Sequence, residues 1–219
     1  MKKLILAAIT MTYAASVFAQ GSVNFSTRDA AGSSHVWIGG AAQLRGMGVN
    51  DNPPGSIDYA AFGCRLIGTA PGGLPEAQHF FAQLLGAPGT GAAESSLVPG
   101  LPTTTFRTGA ASGQIALTTV TFNNIAPGAA AGTFQMVAWD NSSGLYPTWA
   151  EASVAWNNSL IRGGRGNVFS LTAIGGGLNT PPSIEPFAQS FSVYFIPEPA
   201  TAALLGLGAA AMLIFRRRK

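Results

Sequence analysis

The chain has 219 residues, 47% of them apolar and only 10% charged, with 28 Gly and 14 Pro. This composition excludes a long-helix or coiled-coil protein, which is rich in Ala, Glu, Lys, Leu and Arg, and polyelectrolyte disorder, which needs high net charge and few apolar residues. The net charge of +3 is a poor guide to partners, because Lys2, Lys3, Arg216, Arg217, Arg218 and Lys219 lie at the two extremes while residues 20–195 carry six Arg against eight acids; no basic stripe is left to bind nucleic acid.

Lys2 and Lys3 precede an apolar run over residues 4–18, closed by Ala19 and Gln20. A charged start, an apolar stretch and small residues at Val17 and Ala19 are the marks of a secretory signal peptide cut between Ala19 and Gln20. The expected division is a signal peptide at 1–19, an exported domain at 20–195 and a distinct segment at 196–219.

Short strands between Gly, Pro, Asn and Asp turns are predicted along the exported domain: 23–26, 36–38, 59–67, 80–85, 114–122, 133–139, 168–174 and 187–195. In the last, Phe187, Gln189, Phe191, Val193 and Phe195 share one face and Ser190, Ser192 and Tyr194 the other. That period of two predicts a half-buried antiparallel strand. Residues 75–85 lack Gly, and Pro75 followed by Glu76 also suits the first turn of a helix; strand is the preferred reading for 80–85. Residues 86–105 read as a long surface loop. The expected fold is all-β, an antiparallel β-sandwich of jelly-roll or Ig-like type, followed by a single C-terminal transmembrane helix.

Candidate chemistry is sparse. Cys64 is the single cysteine, so no internal disulfide forms, and its strand-like setting points to a buried thiol. His79 follows Glu76 by three residues, but two ligands do not make a zinc site, and His35 reads as a strand-edge residue. Asp140-Asn141-Ser142-Ser143-Gly144 lacks the distal acid of a calcium loop and reads as an Asx-rich turn. Arg162-Gly163-Gly164-Arg165-Gly166 reads as a flexible turn, and Trp139 as core. Trp149 and Trp156, with Asn and Tyr nearby, are the candidate glycan contacts, an indole face being able to stack on a sugar. No catalytic, cofactor or metal site is expected, and the chain reads as non-enzymatic.

At the far end stand Pro197-Glu198-Pro199, an uncharged run over residues 200–215, and Arg216, Arg217, Arg218 and Lys219. Sixteen helical residues reach roughly 24 Å, close to a ~30 Å hydrocarbon core, and snorkelling Arg stems close the gap. The prolines stop the helix from running further back, and the four cations form a basic stop-transfer cluster that would keep the C-terminus in the cytoplasm.

These three parts, in this order and opposite a signal peptide, closely resemble the PEP-CTERM sorting signal of exosortase substrates, a region that also carries the label of an ice-binding protein C-terminal domain. The resemblance implies that Pro197, Glu198 and Pro199 are recognition residues for an exosortase-type membrane transpeptidase. It implies export through the secretion machinery, transient anchoring through the C-terminal helix, then delivery to the cell surface or beyond, often among exopolysaccharide. The expected role is that of a structural protein of the envelope or matrix, with a carbohydrate-binding or adhesive module as the alternative.

Overall fold

The computed structural model describes residues 20–29, 32–40, 44–47, 59–185 and 187–197. Within them the chain forms mainly antiparallel sheets with little helix, so the described part is all-β. The strands are β1 (Gly21–Phe25), β2 (Arg28–Asp29), β3 (Gly32–Ser33), β4 (Val36–Ile38), β5 (Arg45–Met47), β6 (Arg65–Leu66), β7 (Phe80–Pro88), β8 (Val98–Pro99), β9 (Thr104–Thr105), β10 (Thr118–Phe122), β11 (Ala131–Asp140), β12 (Gly163–Thr172) and β13 (Ser190–Val193). Among the described residues two α-helices interrupt them, α1 (Gly73–His79) and α2 (Trp149–Asn157).

The largest sheet runs β12-β11-β7-β8, with β9 also on β7. Its middle strands are long because both faces are covered. Phe134, Met136 and Ala138 of β11 and Ala82 and Leu84 of β7 face the main core, which also takes Val23 and Phe25 of β1, Val120 and Phe122 of β10, Val36 of β4 and Phe191 of β13. The alternate residues Leu85, Val137 and Trp139 face a second cluster built with α2. Strands buried on both sides read as continuous apolar runs, and the stretch from Gly132 to Trp139 is wholly buried. Two glutamines sit inside this sheet because each is hydrogen-bonded. Gln83 donates to the Gly100 carbonyl at 3.0 Å and accepts the Trp149 N–H at 2.9 Å, while Gln135 donates to the Gly166 carbonyl at 3.0 Å.

A second sheet runs β5-β13-β4-β6, and β1 pairs with β10 in a third. β13 departs from its expected character. It is buried at every residue, and it lies parallel to β4 and antiparallel to β5. Its serines are inside because their hydroxyls accept main-chain N–H groups that would otherwise lack a partner: His35 N–H to Ser190 Oγ at 2.8 Å and Leu44 N–H to Ser192 Oγ at 3.0 Å. Polar alternation here marks internal satisfaction, not a wet face.

Other expectations shift with tertiary context. Residues 59–63 turn, and only Arg65–Leu66 of the expected 59–67 strand pairs. Both readings of 75–85 hold in sequence, since α1 ends at His79 and β7 starts at Phe80. Residues 86–105 contain the tail of β7, a 3₁₀ turn at Glu94–Ser96, and β8 and β9. The Gly-rich stretch at 163–166 is strand, not flexible turn. Gln20 lies at one end of β11, where Gly21 bonds Ile125 and Ile174 bonds Ala129; Tyr194 lies at the other, bridged to Gly163 opposite Trp139.

Candidate functional site

The segment that leads into residues 197–219 is held by an aromatic cluster, and α2 creates that cluster. Thr148 and Glu151 form a capping box, with the Thr148 N–H donating to Glu151 Oε2 at 3.1 Å. The Gln83 side chain takes the next N–H, that of Trp149. Trp149, Ala152, Ala155 and Trp156 then fall on the buried face and Val154 on the exposed one.

The rings run in a chain from the sheet interior to the end of the domain. Trp139 meets Trp149 at 5.8 Å between centroids, Trp149 meets Trp156 at 5.6 Å, and Trp156 meets Tyr194 edge-on at 5.6 Å. Each such pair adds about 0.5–1.5 kcal/mol beyond area burial. The indole N–H groups are satisfied, Trp139 by the Tyr146 carbonyl at 2.7 Å and Trp156 by the Tyr194 carbonyl at 3.0 Å. Tyr194 and Gly163 exchange main-chain hydrogen bonds at 3.0 and 3.1 Å. The Ser159 hydroxyl donates to the Ile196 carbonyl at 2.5 Å, and the Arg162 guanidinium lies 4.8 Å from the Phe195 ring centre. Ile196 packs on the cluster and Pro197 is exposed. Among the described residues, Ile196 is the last to pack on the cluster, directly before the Pro-Glu-Pro motif.

Two glycines make this closeness possible. A Cβ on Gly163 would fall 2.7 Å from the Trp156 ring, and one on Gly164 would fall 2.3 Å from the Ser192 carbonyl oxygen.

Trp149 and Trp156 are only 6% and 4% exposed. The expected sugar-stacking platform is absent, because neither indole shows a face to solvent; both are spent on packing α2 against β11 and the tail root. Trp149 does edge a cleft of about 270 Å³, lined also by Leu85, Glu94, Leu97, Gln135 and Arg165. Arg165 pairs with Glu94 at 2.8 Å and lies 5.6 and 5.7 Å from the Trp149 and Trp156 ring centres. The Thr148-x-x-Glu151 spacing is the sequence signal that marks the start of α2.

Trp139 is fully buried. Cys64 is a buried free thiol, and burial pushes its pKa up. Glu76 is engaged by Arg65 in a two-pronged pair and by the Gly68 N–H at 2.9 Å, while His79 is exposed at the end of α1. Burial alone would raise the Glu76 pKa, but the Arg65 and Gly68 hydrogen bonds outweigh it and hold the carboxyl below its ordinary range. His35 sits 3.2 Å from the Gln114 side chain. Asp140 starts a turn by accepting the Ser142 N–H at 2.9 Å. Among the described residues, no group of three or more His, Cys, Asp and Glu side chains is arranged to hold a metal.

Gln20 and Pro197 are described; Ala19, Glu198, Pro199, Arg216, Arg217, Arg218 and Lys219, with the expected signal peptide and transmembrane run, lie outside the described residues. No helix among the described residues is long and apolar enough to cross a membrane.

Compared with known families, residues 195–219 match the PEP-CTERM protein-sorting motif. No curated protein and no solved structure matches the chain. A motif of this kind implies export, membrane-associated sorting and an exosortase partner.

Proposed function

We propose that this chain is a non-enzymatic structural protein of the cell envelope or extracellular matrix, delivered by its C-terminal sorting signal. The single observation that carries the reading is the match of residues 195–219 to the PEP-CTERM motif. In this reading residues 1–19 are a signal peptide cut between Ala19 and Gln20. Residues 200–215 span the inner membrane as a helix, with Arg216, Arg217, Arg218 and Lys219 in the cytoplasm. Pro197, Glu198 and Pro199 are read by an exosortase-type transpeptidase, and the domain then passes to the cell surface or beyond.

The physical logic is one of depth. A carboxylate between two prolines cannot enter hydrocarbon cheaply, so Glu198 stays near the outer interface and fixes where the helix begins. The exported domain is read as a β-sandwich, which the two core-facing layers of sheet support. Its weak charge and many polar uncharged side chains suit life among exopolysaccharide. Mass spectrometry of the native protein tests the reading: termini at Gln20 and close to Pro199 are expected, and a mature chain still ending in Lys219 would overturn removal of the tail.

The carbohydrate-binding or adhesive alternative draws its support from the cleft beside Trp149 and Arg165, not from an open indole face. A glycan array separates the two readings, because only the alternative requires a saturable ligand that Trp149→Ala abolishes while the variant keeps its fold.

A further inference from the structure

We infer that the surface around the chain's exit, formed by Val154, Leu160 and Phe195, rests on the lipid headgroup layer while the tail is inserted. The inference builds on the reading of residues 200–215 as a membrane helix. Those three side chains are 60%, 65% and 43% exposed, each a large apolar group partly open to solvent. They are joined by short links. The Leu160 N–H bonds the Ala155 carbonyl, the Asn158 N–H bonds the Val154 carbonyl, and Ser159 between them bonds Ile196, the neighbour of Phe195. Val154 and Leu160 therefore stand at and just past the end of α2, where Ser159 holds Ile196, and Phe195 is the residue before it.

The chain itself names the occupant. The uncharged run begins at Ala200, and three extended residues from Pro197 cover at most about 10 Å. The headgroup zone on each side of a bilayer is roughly 5–8 Å deep. With Ala200 at the edge of the hydrocarbon, the exit stands at the height of the headgroups, so whatever surrounds Pro197 meets lipid. The composition suits that position. Apolar side chains and an aromatic ring belong at an interface, and the Arg162 guanidinium held over Phe195 supplies a cation for lipid phosphates. Glu151, one turn before Val154 and exposed, is the acid at the rim.

The test uses the full chain in vesicles of phosphatidylcholine and phosphatidylglycerol, with an environment-sensitive fluorophore on Leu160→Cys or on Leu178→Cys. Leu178 is fully exposed, but it follows β12 at the opposite end of β11, about 30 Å away for ten strand residues. Buried Cys64 stays unlabelled in the native protein. Resistance to carbonate extraction reports insertion of the tail. With the tail inserted, headgroup-spin-labelled lipid is expected to quench the probe at 160 severalfold and to leave that at 178 unchanged. Equal quenching at the two positions in a carbonate-resistant protein overturns the inference and leaves the anchored tail standing. Complete extraction by carbonate overturns the membrane helix and the docking together.

Discussion

Replacing Gly164 by alanine puts a methyl group 2.3 Å from the Ser192 carbonyl oxygen and close to the Val193 Cα. Ordinary contact begins near 3.4 Å, so the main chain must open by about 1 Å, and no rotamer can relieve the clash because both partners are backbone. Overpacking of this kind costs about 1–3 kcal/mol. The two Gly163–Tyr194 hydrogen bonds adjoin the site at 3.0 and 3.1 Å, and losing one adds about 1 kcal/mol. The expected destabilisation is about 2–4 kcal/mol, or a fall in Tm of roughly 5–15 °C for a domain of this size. Urea titration of the full chain in detergent micelles, followed by tryptophan emission, reads the loss. Val168→Ala is the control: its parent side chain lies on the same strand, 39% exposed, and should change stability by no more than about 0.5 kcal/mol. A Gly164→Ala variant as stable as the parent would refute the close approach of β12 to β13, and with it the account of how the tail root is held.

Glu76 has a carboxyl held below its ordinary pKa, so its contribution to stability is present at neutral pH and drains away as acid protonates it in the folded state. Thermal melts across the range below about pH 4.3 should show a loss of Tm that Glu76→Gln reduces; an identical acid profile in the variant would disprove the assignment. Cys64, buried and with its thiol pKa raised, should resist maleimide in the native protein and react fully in urea, as a mass shift reports. Thr148→Ala removes half of the capping box and should destabilise the protein by about 1 kcal/mol, detectable in the same urea titration.

The fold class was legible because β7, β10 and β11 advertise themselves through apolar β-branched and aromatic residues between turns. What could not be read was which faces those strands bury. Residues 133–139 looked like a sandwich strand, yet the side of Val137 and Trp139 is closed by α2, a helix whose four buried residues are too few to print a strong period on nine positions. Ser190 and Ser192 mimicked a solvent face because a hydroxyl that accepts a main-chain N–H inside the protein looks the same in sequence as one that meets water. Gly163 and Gly164 mimicked a loop, while their role is to let a ring and a neighbouring strand come close. The indoles of Trp149 and Trp156 gave the same ambiguity in reverse: an aromatic pair near Asn and Tyr fits a binding surface and a packed cluster equally, and only burial distinguishes them. The sorting motif was legible because its parts are contiguous and need no tertiary context.

The placement of β13 has a consequence for the order of events in export. A polypeptide threaded amino end first delivers residues 190–193 almost last, yet β4 and β5 wait for them as their shared neighbour. The four-stranded sheet stays open until nearly the entire exported part has emerged, and it shuts within a few residues of Pro197.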